Sequence, residues 1–509
     1  MSRDFLTQLV AVHAAGNPAA VALRGAAAEI PYAALSALVE RVANLLREHA
    51  PRVVGLAVDN SPAWAVLDLA AMQAGIPLVP LPFFFSQNQL QHAIRDAGID
   101  CLLTDQPQAF ESLLAASGIG VRGKTELAIA GTVLTLLQLE SVAAVELPAG
   151  TLKVTYTSGT TGNPKGVCLG LQAISSVAAS LLQMTQAEAA DRHLSLLPLS
   201  TLLENIAGLY VPLLAGASCS LLPFADIGLK GATGLDLQKM AGALQATAAT
   251  TTILTPEMLR GLVAVTAAGH PLPPGLRFVA VGGAPVAERL IVQARALGIP
   301  VYEGYGLSEC ASVVSLNTPQ ADRTGAAGKL LPHVRIAFSE DGEILAGGAA
   351  LLGYTGQPAS QPVPALWPTG DLGYLDAEGY LHITGRKKNV FITSYGRNVA
   401  PEWVERELTL YPCIAQAAVF GESRPWNVAV IVARGELNEV APEIAHAIAD
   451  ANSRLPDYAR ISRWIAATAP FTPGNHQLTP NGRLRRAAIF EAYQARIETL
   501  YEETDDVVL

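Results

Sequence analysis

Short apolar runs alternate with helix-period stretches from early in the chain, and that rhythm narrows the possible folds more than any other feature. Val53–Val58, Pro77–Leu81 and Cys101–Thr104 read as strands, with helices at Pro62–Ala74 and Gln87–Ala97 between them. The pattern returns with strands at Thr251–Leu254, Phe278–Val281 and Val301–Glu303, and helices at Pro256–Ala264 and Ala287–Leu297. Strand–helix–strand order brings successive strands back parallel, so an α/β fold of helix-covered, mainly parallel sheets is expected. Ligands in such sheets sit at the carboxyl ends of strands, which singles out the loops after Val281 and Glu303. At 509 residues the chain is too long for one core. A Pro-, Gly-, Gln- and Thr-rich stretch over 355–371 and the charged break GRKKN (Gly385–Asn389) lead into a smaller αβ pattern. There, Pro401–Tyr411 and Leu437–Ser453 read as helices, and Ala415–Phe420 and Val428–Ala433 as strands. The expectation is a large N-terminal domain over 1–385 and a small α+β domain over 386–509.

Composition excludes several function classes. A net charge of −10 is wrong for a nucleic-acid surface, though a local cluster can still bind an anion. The five cysteines (Cys101, Cys168, Cys219, Cys310, Cys413) are scattered without a C-x-x-C pair, as expected for reduced thiols in a cytoplasmic protein with no zinc site. The N-terminus, MSRDFLTQLV, lacks the apolar core of a signal peptide. Ile206–Phe224 carries no charge over nearly the ~20 residues of a membrane span. Pro212, Gly216 and Pro223 interrupt it, so a strand and its flanks in a covered sheet are expected instead. Glu502–Asp506 reads as a solvated acidic end.

Chemistry concentrates in a few loops. TYTSGTTGNPKG (Thr155–Gly166) follows a short apolar strand and offers glycines, hydroxyls and Lys165, a combination suited to a polyphosphate. It is not a Walker A loop, because Pro164 stands where that motif needs glycine; taken alone, such a loop also reads, less well, as an ordinary flexible connection. VGGAP (Val281–Pro285) permits close backbone approach or merely makes a tight turn. In VYEGYGLSEC (Val301–Cys310), Tyr305 offers a ring to stack on a base and Glu309 a ligand for a divalent cation, although a glutamate after a strand is usually just solvated. No base stands near Cys310 in sequence, which favours packing over nucleophilic chemistry. Asp371 lies in a glycine-flanked loop where a carboxylate can accept two ribose hydroxyls, and Asp376–Gly379 reads as an ordinary hairpin turn.

TSGTTGNPKG, LPLSTLLEN (Leu197–Asn205), GGAP, GYGLSE, TGD, GRKK and LTPNGRLRR (Leu478–Arg486) occur in the order found in the AMP-forming acyl-CoA synthetases, and the chain resembles that family over nearly its whole length. GYGLSECASVVSLN (Gly304–Asn317) looks most like bacterial long-chain fatty acyl-CoA ligases. The resemblance implies ATP, Mg²⁺ and coenzyme A as cofactor and co-substrates, and a C-terminal domain mobile about a hinge near Lys388. It implies that Thr157, Ser158, Gly159, Thr160, Thr161, Gly162 and Lys165 wrap the phosphates. Gly283, Ala284 and Pro285 would line the adenine under Tyr305; Gly306, Leu307 and Ser308 would run beside the α-phosphate. Glu309 would hold Mg²⁺, Asp371 would clasp the ribose with Arg386, and Gly396, in SYGRN, would border the thiol tunnel. Catalytic roles fall on Lys165, Glu309, Lys388 and Arg483.

The chain departs from the family in two places. Arg483 stands where the family has a lysine on the substrate carboxylate and α-phosphate, and arginine is planar and geometrically more demanding. Thr201 replaces the histidine or aromatic residue that often follows LPLS or LPLA. Thr201, Leu202, Leu203, Gly208, Val281 and Gly306 are the acyl-pocket candidates; none is charged, so a fatty or aromatic acid fits better than an amino acid. The reading is a carboxylate–CoA ligase, with a fatty acid as the expected substrate. The alternatives are an acyl-AMP ligase that loads an acyl carrier protein in trans, and a degenerate nucleotide-binding homologue.

Overall fold

The structure, a computed structural model, describes residues 5, 7–140, 142–157, 164–230, 234–357, 362–479 and 482–502. Two large sheets form its centre. One runs, in spatial order, Gly353–Tyr354, Lys165–Gly170, Thr151–Thr157, Leu78–Pro80, Val54–Ala57, Cys101–Thr104, Thr132–Leu139, Val121–Ile129. The other runs Lys329–Leu330, Ser315–Leu316, Val301–Tyr305, Phe278–Val281, Thr251–Leu254, Arg192–Leu194, Ser218–Ser220, Val21–Arg24, Glu29–Pro31. Both are parallel in the middle and antiparallel at the edges, as expected when crossover helices feed the centre and hairpins finish the rim.

Local chemistry explains several boundaries. Helix Pro62–Ala74 starts where the Ser61 side chain accepts from the Trp64 N–H, with Pro62 at the first helical position, and stops at Gly75, φ 72°. Nearly every residue of this helix is buried, so it is apolar all round rather than on one stripe. Ser86 and Gln89 close a capping box on helix Gln87–Asp96.

The uncharged run Ile206–Phe224 differs from its expectation in the first half. Glu204–Tyr210 forms a π-helical turn that passes into helix Val211–Ala215, and only Ser218–Ser220 is strand. Pro212 sits in the first turn of the α segment, where its missing N–H costs nothing, so the break comes at Gly216. Among the described residues no helix is long and apolar enough to cross a membrane. A four-stranded antiparallel sheet over 335–386 (Arg335–Phe338, Glu343–Gly347, Trp367–Leu375, Leu381–Arg386) was not expected from periodicity. The C-terminal part builds its own cores around the sheet Ile414–Phe420, Asn427–Ala433, Ile461–Ala466, flanked by helices Leu437–Arg454 and Arg486–Glu502.

One buried polar cluster ties these layers together. Lys153, 3% exposed on the strand that leads into TSGTTG, donates to Asp68 Oδ1 at 2.6 Å, to the Tyr210 hydroxyl at 2.8 Å and to Asn205 Oδ1. Asp68 comes from helix Pro62–Ala74, and Asn205 and Tyr210 from the π turn. Burial holds the Lys153 ammonium below its ordinary pKa, with Asp68 acting against that shift.

Removing one member of a buried ion pair leaves the other charge unmatched, a loss of about 3–5 kcal/mol. Lys153→Met is therefore expected to lower the urea-unfolding midpoint sharply, and Lys153→Met with Asp68→Leu to lower it less. Equal losses in the two proteins would show that the charges are not coupled.

Candidate active site

The carboxyl ends of Thr251–Leu254, Phe278–Val281 and Val301–Tyr305 open into a cleft of about 2510 Å³, bounded on its far side by the C-terminal part. Thr157, Lys165, Thr201, Leu202, Leu203, Val281, Gly283, Ala284, Pro285 and Tyr305–Glu309 line it, as do Asp371, Arg386, Lys388 and Arg483. Ser158–Gly162 lie outside the described residues. Their flanks, Thr157 and Lys165, are directly paired at the end of an antiparallel hairpin. The loop over 306–313 turns so tightly that a Cβ on Gly306 would lie 1.5 Å from the Ser312 carbonyl oxygen, so only glycine fits there.

Asp371 and Arg386 stand opposite each other on adjacent strands, which puts Arg386 Nε 2.8 Å from Asp371 Oδ1. The Tyr305 hydroxyl donates to the other carboxylate oxygen at 2.7 Å. The carboxylate is thus held in place from two strands while still facing the cleft. Glu309, in the short 3₁₀ turn Ser308–Cys310, accepts at Oε1 from the Tyr354 hydroxyl at 3.0 Å.

Arg483 reaches the same space from the C-terminal part. A turn in which Thr479 N donates to the Arg483 carbonyl at 2.7 Å and Arg483 N to Thr479 Oγ1 at 3.0 Å presents it. Its Nη2 donates to the Gly283 carbonyl at 3.3 Å. The side chain stays accessible from the open cleft, yet its pKa is lowered, first by the surrounding protein and then by Arg386. Asp371, Glu309 and Tyr305 act the other way, and the guanidinium remains a cation. Lys388 is likewise lowered, by burial and then by Arg386 and Arg483, against Asp371 and Glu402. Of the neighbouring arginines, Arg486 turns away to the small domain: Nη1 and Nη2 pair with Oε1 and Oε2 of buried Glu405 at 2.5 and 2.6 Å. Arg483 thus bonds to the loop after Val281, while Arg486 is held by Glu405.

Two sequence candidates lie off the cleft wall. Gly396 sits in an exposed turn at φ 71°. Gly208 faces inward, where a Cβ would fall 2.2 Å from Glu204 Oε1 and 2.7 Å from His193 Nε2. The pocket floor behind it holds a pair that sequence reading missed. His193 Nε2 is 3.0 Å from Glu204 Oε1, and Nδ1 is 3.0 Å from Thr251 Oγ1. Tyr354 was missed too. A glutamate just ahead of the uncharged run was the available signal for the first, and nothing in sequence marked the second.

The sequence family described as AMP-binding enzyme matches residues 10–353, and the AMP-binding enzyme C-terminal domain matches residues 388–505. The chain is 27% identical to the long-chain-fatty-acid–CoA ligase FadD15 of Mycobacterium bovis, over 86% of each chain. It is 28% identical to the indoleacetate–CoA ligase of Aromatoleum aromaticum, over 89% of this chain and 92% of the other. Among solved structures it resembles the anthranilate CoA ligase AuaEII in complex with anthranoyl-AMP, at TM-score 0.78 and 19% identity, covering 98% of both chains.

Cys310 follows Glu309 and is 3% exposed; burial, with Glu309 adding to it, pushes its thiol up to about 12. At pH 8 the thiolate fraction is then lower than that of an ordinary thiol by roughly 10³-fold. Labelling of Cys310 by a thiol reagent, read by peptide mass spectrometry, is expected to be slower by about that factor and to rise with pH towards 12. Fast labelling at pH 8 would contradict the burial described.

Proposed function

The chain belongs to the AMP-binding enzyme family, and on that premise we propose that it is an ATP-dependent carboxylate–thiol ligase. It would adenylate a fatty acid with release of pyrophosphate and then transfer the acyl group to coenzyme A in the cytoplasm. The observation that carries this reading is one cleft in which Lys165, Arg386, Lys388 and Arg483 surround the carboxylates of Asp371 and Glu309. A site with that balance can hold a polyphosphate, a ribose diol and a substrate anion side by side.

In the proposed reaction a carboxylate oxygen of the acid attacks the α-phosphorus of ATP, and the bond to the bridging oxygen of pyrophosphate breaks. The acid is already ionised at neutral pH, so no general base is needed; alignment and charge neutralisation are. Lys165 serves the β- and γ-phosphates, and Arg483 the entering carboxylate and the α-phosphate. Asp371 accepts the ribose hydroxyls, exchanging its bond from Tyr305 for them, while Gly283, Ala284 and Pro285 border the base. Among the described residues no three or more His, Cys, Asp and Glu side chains gather for a metal. That suits Mg²⁺, which takes one carboxylate and completes its shell from phosphate and water, and Glu309 is the residue that would hold it. When bound, the ion offsets negative charge on the phosphates.

In the second half-reaction the thiol sulfur attacks the acyl carbonyl and AMP leaves. A turn of the C-terminal domain, residues 386–509, about Lys388 would withdraw Arg483 and bring the Gly396 loop to the cleft. In this reading, Arg483 bonded to Gly283 is what the adenylating half would require. Leu181, Leu202, Leu203, Val211, Phe278 and Val281 give the inner cleft an apolar wall, which supports a fatty acid, as does the likeness to FadD15.

Carboxylate-dependent ATP–pyrophosphate exchange over fatty, aryl and amino acids tests this reading. Exchange with fatty acids, followed by discharge with coenzyme A, is expected. Absence of exchange with every acid, while ATP still binds, would overturn adenylation; discharge only by a loaded carrier protein would overturn the acceptor. Arg483→Ala should lower exchange by roughly 10²–10³-fold. Arg483→Lys should also lower it, by less, because the shorter cation loses the Gly283 bond; a gain would mean that arginine is a handicap here.

A further inference from the structure

Tyr354 stands outside every motif picked out in the sequence, yet it touches two of them. Its strand, Gly353–Tyr354, is the edge strand of the sheet that carries the polyphosphate hairpin: Tyr354 pairs with Val167 and Gly353 with Cys168. The backbone clamps this strand to both sides of the cleft. Thr355 N donates to the Gly166 carbonyl at 2.9 Å and Leu352 N to the Cys168 carbonyl at 2.8 Å. On the other side Leu351 N donates to the Glu309 carbonyl at 2.9 Å. The segment Leu351–Thr355, with the edge strand at its centre, therefore bridges the stretch after Lys165 to the turn that carries Glu309.

The side chain repeats the bridge. The Tyr354 hydroxyl donates to Glu309 Oε1 at 3.0 Å, and the Lys165 ammonium lies over the Tyr354 ring, 5.6 Å from its centroid. The indole of Trp367 meets that ring edge-on at 5.8 Å and limits its swing. A phenol suits this place, because its hydroxyl orients a carboxylate and its face attracts a cation. Phenylalanine keeps the second property and loses the first, whereas leucine loses both.

We propose that Tyr354 is a positioning residue that sets the Glu309 carboxylate for a divalent cation and steers the Lys165 ammonium to the same phosphate chain. This rests on the reading of the cleft as an ATP site. Tyr354 touches neither the acid nor the reacting phosphorus; it acts through the two charges it fixes. A hydrogen-bond partner that orients a metal-binding carboxylate typically changes metal affinity by about 10–100-fold when removed.

Calorimetric titration of ATP into the full chain, once with Mg²⁺ and once with EDTA, separates the two effects without relying on turnover. The wild-type protein should bind ATP more tightly when Mg²⁺ is present. Tyr354→Phe should keep metal-free binding within about twofold and lose about 10-fold or more of the Mg²⁺-dependent gain. Tyr354→Leu should lose that gain and also weaken metal-free binding, because Lys165 has no ring to rest on. A Tyr354→Phe protein with the full Mg²⁺-dependent gain would overturn the proposal and leave Tyr354 as packing. Wild-type protein that binds no ATP under either condition would overturn the ligase reading and this inference with it. Circular dichroism melting of both variants guards against loss of fold, and Tyr354→Phe, which keeps the ring against Trp367, should melt close to wild type.

Discussion

A lysine ammonium inside the protein, matched by one aspartate, is the constraint around which the N-terminal layers are arranged. Lys153 has no water to turn to, so its three donors must be met by Asp68, Asn205 and Tyr210. Those residues come from a strand, a fully buried helix and a π turn that share no continuous backbone. Their convergence fixes three separations at once. Two residues beyond Lys153 begins the hydroxyl-rich segment that ends in Lys165, and one residue before Asn205 is Glu204 of the pocket floor. The polar cluster therefore sets the distance between the polyphosphate hairpin and the inner cleft more tightly than apolar packing alone would.

The cleft itself is assembled from pieces that share little stability. Tyr305 and Glu309 stand on or just beyond a central parallel strand, Asp371 and Arg386 on an antiparallel hairpin, and Arg483 on a turn of the C-terminal part. Each is locked by its own neighbours: Asp371 by Tyr305 and Arg386, Glu309 by Tyr354, and the Arg483 turn by Thr479. Across to the C-terminal part, Arg434 meets Glu257 at 3.3 Å on the surface and Arg289 lies over the Tyr411 ring. Surface pairs of this kind contribute little.

The parallel framework was legible because its signals are local. Cys101–Thr104, Thr251–Leu254 and Phe278–Val281 are apolar runs buried on both faces, and Ser61, Pro62 and Gly75 mark a helix whose ends match the sequence reading. Of the antiparallel sheet over 335–386 only the turn at Asp376–Gly379 was read, because most of its residues are partly buried and its registers shift at bulges, which blurs the period of two. Within the site, Gly283–Pro285 and Tyr305–Glu309, picked out by their glycines, line the cleft, whereas Ser158–Gly162 lie outside the described residues. Lys153 looked like any strand lysine, because the partner that explains it lies 85 residues away. Tyr354 acquires its place only by pairing with a strand nearly two hundred positions earlier.

The hairpin that holds Asp371 ends where the chain leaves for the C-terminal part. Arg386 pairs with Asp371 through its side chain, and its carbonyl accepts the N–H groups of Asn389 and Val390, both at 2.9 Å. Lys387 N still donates to the Gly370 carbonyl at 2.9 Å, so the last rung of the ladder lies one residue before Lys388. Were the small domain to turn about Lys388, as the proposed second half-reaction requires, the movement would reach the Asp371 carboxylate through one short rung. Turning the small domain and loosening the nucleotide would be one mechanical event, and a chain with a longer tether at this point would have to time them separately.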